Sequence, residues 1–397
     1  MGSKKSFIKG ALCGALTMLV IAGVGVGIFV IKDKATNTGE GGLVSSATEE
    51  KLQLIQEMIE SKYLYGEDVD EDKLQESIIK GYVDGLGDPY SVYYNEAETR
   101  SLMESTSGEF GGIGVVITQN IDTQIITFTT VYENSPAEKA GMKSGDILYK
   151  VDGEEVTGQD LDTVVSKIRG EKGTTVEITV YRGDSMEEYT GVVTRDIIEV
   201  NTVAYEMKDN KIGYIAVSGF ETVTYEQFEA ALNDLTAQGM ETLVIDLRNN
   251  PGGNLSTVCD MLDLILPEGT IVSTKDKNGN GSVITSDEEH QLNIPLAVLI
   301  NGNSASASEI FAGAVQDFGI GILVGTTTYG KGIVQELYQM SDGTCLKITT
   351  SEYFTPSGRN IHGIGIEPDV KVEYEYDEAN PDADNQLEAA LKCLKEK

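Results

Sequence analysis

The feature that most restricts this chain is an alternation in its C-terminal half. Short apolar runs are followed by segments with helical periodicity. Ile212 to Val217, Thr242 to Leu247, Leu296 to Ile300 and Ile320 to Val324 read as strands. Thr224 to Gln238, Thr257 to Ile265 and Ser306 to Phe318 read as the helices between and after them. Strands that lack a polar face must be covered on both sides, which is the habit of sheets layered with helices. From about Ile198 to Tyr374 the pattern therefore predicts a layered α/β core.

The rest of the chain carries different signals. At 397 residues it is too long for one ordinary core, and two or three folded units are expected. From about Ser107 to Arg195 short strands are broken by glycine turns: Gly114 to Gln119, Ile125 to Val131, Ile147 to Val151 and Val176 to Arg182, with a helix at Leu161 to Arg169. Upstream, Glu49 to Tyr63 and Glu71 to Leu86 each place apolar residues on one helical face, and Gly87-Asp88-Pro89 stops the second. Two amphipathic helices make a poor domain alone, so they read as a dimerisation or docking arm, and a homodimer is expected. The divisions are an N-terminus (1–9), an uncharged run (10–31), a linker (32–47), the helical arm (48–105), the β-rich domain (106–197), the α/β core (198–375) and an acidic linker with a last short helix (376–397).

Gly10 to Ile31 hold no charged side chain. At about 1.5 Å per residue the run reaches ~33 Å, enough for a hydrocarbon core. Lys4, Lys5 and Lys9 precede it and favour a cytoplasmic N-terminus. The expectation is an uncleaved single-pass anchor in the cell membrane, with the rest of the chain extracytoplasmic; a cleaved signal peptide would carry a shorter apolar region. The formal charge of −34 should repel nucleic acid. The four cysteines show no C-x-x-C or Cys/His cluster, so a metal site lacks support. Cys259 and Cys345 read as buried small hydrophobes. Only His290 and His362 are available to any histidine chemistry, and His362 is read as structural.

Three segments have residue types suited to nucleophilic chemistry. Asn303 to Glu309 spells Asn-Ser-Ala-Ser-Ala-Ser-Glu between a buried strand and a helix. Ser306 with Glu309 fits a capping box, and a serine at a helix start also lies where orphan N–H groups stabilise an oxyanion. Asp246 to Asn254 ends in Pro251-Gly252-Gly253, either a tight strand-to-helix turn or a backbone N–H donor. Tyr329-Gly330-Lys331-Gly332 holds a lysine that is either solvated or, if buried, a base. A neutral partner such as Gln335 would orient its amine without raising its pKa as a carboxylate would. Extended, Lys331 and Gln335 stand about 13 Å apart, so a direct Gln335–Lys331 contact predicts a helical turn there. In the β-rich part, Gly111-Gly112-Ile113-Gly114-Val115 opens a strand and could form an N–H nest for a peptide carboxylate, with the strand edge pairing the peptide.

The stretch Ser135-Pro136-Ala137-Glu138-Lys139-Ala140-Gly141-Met142-Lys143-Ser144-Gly145-Asp146, followed by Val151-Asp152-Gly153, resembles a PDZ domain of the bacterial protease type over roughly Gly108 to Thr194. That likeness implies recognition of substrate protein C-termini, with Ile113, Gly114 and Val115 in the carboxylate loop; Arg169 is a candidate for added positive charge. Together with Gly87-Asp88-Pro89-Tyr90-Ser91, Asn249-Asn250-Pro251-Gly252-Gly253, Ser304 to Glu309, Gly330 to Gln335, Tyr353 to Arg359 and Ile366-Glu367-Pro368-Asp369, it makes the chain from about Leu52 to Val370 resemble the C-terminal processing (tail-specific) peptidases. The resemblance implies a ClpP/crotonase-like α/β core with an inserted PDZ domain, to which the residues themselves add the N-terminal helical arm and transmembrane helix. It implies a serine-type endopeptidase with Ser306 as nucleophile, Lys331 as base, Gln335 as helper and no cofactor. The oxyanion donors would be Ala307 N–H and an N–H of Gly252 or Gly253. Glu309 and Asp317 are read as structural. Pro251 stands where many members have glycine, and Gly87 where many have leucine. The rival readings are a non-catalytic PDZ adaptor on a peptidase-like scaffold and a crotonase-like acyl-CoA fold.

Overall fold

The computed structural model describes residues 45–183, 185–380 and 383–395. The expected anchor at 10–31 lies outside these residues. No helix among the described residues is long and apolar enough to cross a membrane.

The α/β core is built on a six-stranded sheet in the order 203–208, 212–217, 242–246, 296–300, 321–325, 370–371. The first pair is antiparallel and the others are parallel. Alternate side chains of each central strand go to opposite faces, as the pleat requires. Leu243, Ile245, Leu296, Val298 and Ile300 join the core under helices Thr224–Ala237, Leu255–Asp263 and Ala307–Phe318. Val244, Ala297 and Leu299 join a second core, which helix Asn385–Lys395 covers with Ala390 and Leu394. Fully buried Phe220, Phe228 and Phe311 pack ring to ring, each burial contributing roughly 1.5–3 kcal/mol. The last helix is also pinned electrostatically. Arg248 bridges Asp246, at the end of a central strand, to Asp384, just before that helix.

A second, five-stranded sheet closes the other side of the core: Val92–Tyr94, Cys345–Phe354, Gly269–Asp276 and Val283–Ser286 in order, with Ile333–Gln339 also on Cys345–Phe354. The strand Val92–Tyr94 falls in the stretch read as helical arm, yet it pairs residue for residue with Cys345 to Lys347. The arm region after about residue 91 is therefore part of the core. It continues into helix Glu96–Ser107, started by an Asn95/Glu98 capping box and ended by left-handed Gly108. The earlier helices, Ser46–Lys62 and Glu71–Asp84, keep Ile55, Met58, Ile78 and Tyr82 exposed.

The β-rich domain is inserted between Gly108 and Val200 on a two-stranded neck, Glu109–Gly112 against Asp196–Glu199. Its own sheet runs 115–119, 126–131, 147–151, 175–182, 187–194 around a core of Phe128, Leu148, Val164, Ile178 and Val193.

Candidate active site

The strand Leu296–Ile300 ends in a loop that turns sharply into helix Ala307–Phe318. The turn residue is Ser306, at φ 54°, ψ −113°. A non-glycine residue there is strained by about 1–3 kcal/mol, and such strain at a strand-to-helix corner lifts the side chain out of the packed layer. The burial pattern distinguishes the three serines. Ser304 and Ser308 are fully buried. The Ser304 hydroxyl donates to the Leu247 carbonyl (2.7 Å) and that of Ser308 to the Asn250 carbonyl (2.9 Å). Ser306 alone is partly exposed, and it faces a cleft of about 560 Å³.

The capping relation at Ser306 runs mainly through backbone. Glu309 N–H donates to the Ser306 carbonyl (2.8 Å), and the Glu309 carboxylate accepts from Ser306 N–H (2.9 Å). That carboxylate is fully buried. It also accepts from the Thr328 hydroxyl (2.6 Å), Gly330 N–H (2.7 Å) and Lys331 N–H (2.8 Å). One side chain thus ties the serine corner to the lysine loop, so the structural role read for Glu309 extends to both halves of the site. Asp317 is structural in a plainer sense, holding Ser357 N–H and Arg359.

The glycine loop lies against the same corner. Gly252 has φ +107°, and a Cβ on it would stand 2.8 Å from Ser306 Cβ and 3.0 Å from the Ala307 nitrogen. Only glycine fits so close an approach. Fully buried Asn250 shapes the loop: its amide nitrogen donates to the Val217 carbonyl and its oxygen accepts from Gly252 N–H, at 2.9 and 2.8 Å. Sequence reasoning missed Asn250. The available signal was a polar residue within a glycine turn directly after a buried strand, where a side-chain amide is the cheapest way to satisfy backbone groups.

Lys331 lines the same cleft, with its Nζ 4.6 Å from the centre of the Tyr90 ring. Burial pushes its pKa below the usual lysine value, and the Lys347 cation on strand Cys345–Phe354 pushes the same way. Asp88 and Glu309 oppose the shift. Gln335 lines the cleft too, but the helical turn expected between it and Lys331 is absent. Gln335 lies in strand Ile333–Gln339, just past a register shift at Val334/Gln335. The pairing with Cys345–Phe354 holds this segment extended, and the Gln335 amide nitrogen donates to the Thr349 hydroxyl at 3.3 Å.

Ser306, Ala307, Gly252, Gly253, Lys331 and Gln335 therefore share one cleft, and Ile113, Gly114, Val115 and Arg169 lie outside it in the β-rich domain. There, Gly114 has φ +79° and leads into strand Val115–Gln119. Arg169 pairs with Glu104 of helix Glu96–Ser107 (3.0 Å) and lies over the Phe110 ring (4.4 Å), where the core meets the β-rich domain. Both histidines are exposed and neither lines the cleft. Cys259 and Cys345 are buried, and burial pushes the Cys259 thiol up to about 12. Among the described residues no three His, Cys, Asp or Glu side chains converge as a metal site would need.

Known proteins resemble this chain. The pattern of peptidase family S41 matches residues 211–372, that of a PDZ domain residues 127–182, and that of the activating protease CtpB N-terminal domain residues 30–99. A carboxy-terminal processing protease, CtpA, of Bacillus subtilis is 35% identical over 92% of this chain and 76% of its own length. A probable CtpA-like serine protease of Staphylococcus haemolyticus is 40% identical over 76% of this chain, and the match spans only 60% of that relative's length. The solved structure of a photosystem II D1 C-terminal processing protease is 26% identical, covering 83% of this chain and 94% of that one at a TM-score of 0.46.

Proposed function

The chain belongs to the C-terminal processing peptidases of family S41, and on that premise we propose that it is a membrane-anchored serine endopeptidase acting through a Ser306/Lys331 pair. The observation that carries this reading is the exposure of Ser306 alone among three serines, at a strained corner, in a cleft that a half-buried lysine also lines.

A substrate protein's C-terminus docks at the Ile113-Gly114-Val115 loop and along the edge of strand Val115–Gln119. The chain upstream of it reaches the cleft. Lys331, as the neutral amine favoured by burial, takes the proton from the Ser306 hydroxyl as the oxygen attacks the scissile carbonyl. The tetrahedral oxyanion is met by Ala307 N–H, at the positive end of helix Ala307–Phe318, and by an N–H of Gly252 or Gly253. The Gly252 N–H must first leave Asn250, to which it donates. The ammonium of Lys331 then protonates the leaving amine. Water cleaves the acyl-enzyme, giving its proton to Lys331 and restoring Ser306. Gln335 acts through Thr349 and the strand that follows the lysine loop. The uncharged run at 10–31 supplies the anchor, which places the cleft outside the cytoplasm, and exposed apolar faces on the arm helices support a homodimer.

The test is incubation with a protein ending in apolar residues. Cleavage by the wild type, lost in both Ser306→Ala and Lys331→Ala, is the expected result. Undiminished cleavage by either variant would sink the pair, and binding without cleavage by the wild type would favour the adaptor.

A further inference from the structure

The segment Gly87-Asp88-Pro89-Tyr90-Ser91 has no part in the reaction as described, yet it touches a strand and a loop that line the cleft, through Thr349 and Lys331. It follows the arm helix Glu71–Asp84 and leads into strand Val92–Tyr94. Asp88 caps its own turn, accepting from Tyr90 N–H (3.0 Å) and from the Ser91 hydroxyl (2.6 Å). Buried Ser91 in turn accepts from Thr349 N–H at 3.1 Å. Thr349 is the residue whose hydroxyl receives the Gln335 amide. The turn is thereby fixed to the strand behind Gln335. Its ring-bearing member, Tyr90, sets its ring 4.6 Å from the Lys331 Nζ, and its hydroxyl interacts with Tyr329.

We propose that Tyr90 is a positioning residue for the proton-accepting lysine: its ring is the seat that holds the Lys331 side chain in the cleft and receives the ammonium once the serine proton has been taken. The inference rests on the Ser306/Lys331 reading above. A ring face suits this duty. It attracts a cation through its quadrupole, but it forms no ion pair that would lock the lysine in its charged state. A carboxylate in the same place would do so. The other charged groups around Lys331 are Lys347 from strand Cys345–Phe354, Asp88 from the same turn and Glu309 from the nucleophile helix. Glu221 and Glu336 also line the cleft. None of them changes when Tyr90 is replaced, so a shift in the pH profile isolates the ring. The arrangement also gives the arm a direct hold on the base, because the arm helix enters the turn at Gly87.

The experiment uses the full chain in detergent and compares wild type, Tyr90→Phe, Tyr90→Trp, Tyr90→Leu and Lys331→Ala. A protein substrate ending in apolar residues is followed across pH, and each variant is checked for folding by circular dichroism. Tyr90→Phe and Tyr90→Trp keep the ring and should stay within about 3-fold of wild type in kcat. Tyr90→Leu should lose roughly 10–100-fold in kcat with KM unchanged. Its acid limb should move down by roughly 0.5–1 pH unit, because the ammonium form loses its ring contact. A folded Tyr90→Leu with unaltered kcat and acid limb overturns the proposal. So does a gain in kcat, which would make the ring a resting place that competes with Ser306, and so does a folded Tyr90→Phe as impaired as Tyr90→Leu. If Tyr90→Leu does not fold, Tyr90→Phe and Tyr90→Trp decide: normal activity and pH profile in both support the seat, and a large loss in both sinks it. Cleavage that survives Lys331→Ala condemns the Lys331 reading itself, a result distinct from any of these.

Discussion

The two glycine-rich loops, Gly111–Val115 in the PDZ domain and Asn250–Asn254 in the core, look alike in sequence and are held differently. Among the described residues the hydrogen bonds of the PDZ loop run through backbone: Ala137 N–H on the Ile113 carbonyl (2.8 Å), Tyr132 N–H on that of Gly114 (3.0 Å) and Gly170 N–H on that of Gly111 (3.1 Å). The core loop is organised by buried polar side chains, Asn250 within it and Ser308 donating to its carbonyl. Glu309 does the same for the neighbouring serine corner and lysine loop. Backbone pairing fixes a strand edge and leaves the pocket side chains free to vary, which suits recognition of many chain ends. Buried, fully satisfied side-chain networks fix atoms to one arrangement and are costly to disturb. The difference matches the demands of binding and of catalysis.

Substitutions in the core network should break this contrast most visibly. Ser306→Ala or Lys331→Ala should lower kcat by about 10³-fold or more with little change in binding of a C-terminal peptide; kinetics paired with fluorescence anisotropy separates the two effects. Next comes Glu309→Leu, which strands the Thr328 hydroxyl and three backbone N–H groups in the interior. A loss of about 3–5 kcal/mol is expected in denaturant unfolding, together with activity. Gly252→Ala places a Cβ 2.7 Å from the Ala305 carbonyl and should abolish most cleavage of every substrate. By contrast Gly114→Ala, whose Cβ would meet Ser135 Cβ at 2.5 Å, should weaken cleavage of protein substrates through KM and leave hydrolysis of a short ester substrate within about 3-fold. Equal damage from both glycine substitutions on the ester would erase the proposed division of labour.

The smallest effect is on stability. Burial lowers the Lys331 pKa, so over the range between its folded value and about 10.4 the unfolded chain binds more protons and stability rises with pH. Below the folded value the charged form is buried at full cost. Lys331→Met should therefore raise Tm by roughly 2–4 °C near neutral pH, the gain fading toward pH 10. A Tm that falls at all pH values would mean that the lysine is held by attractive contacts that outweigh its burial.

How much of this was legible in sequence depended on how local the signal was. The strands Ile147–Val151, Ile212–Val217 and Leu296–Ile300 have the bounds the apolar runs predict, because one run fills one buried strand. Strand Val92–Tyr94 was hidden behind a helical pattern, since its partner lies some 250 residues on, at Cys345 to Lys347. The hairpin Ile333–Gln339 with Cys345–Phe354 has an Asp342-Gly343 turn signal between its strands, and the extended setting of Gln335 follows from that pairing. At the site itself the types of Ser306 and Lys331 were readable, but the burial that separates Ser306 from Ser304 and Ser308 belongs to the fold. Asn250 and Tyr90 act through three-dimensional contacts that no short spacing encodes.

The most direct measurement is to find which serine reacts. The full chain is treated with a fluorophosphonate, and the modified peptide is mapped by mass spectrometry, with Lys331→Ala in parallel. Label confined to Ser306, with its rate cut roughly 100-fold or more in Lys331→Ala, is the expected result. Label on Ser304 or Ser308, or a rate indifferent to Lys331, would contradict it.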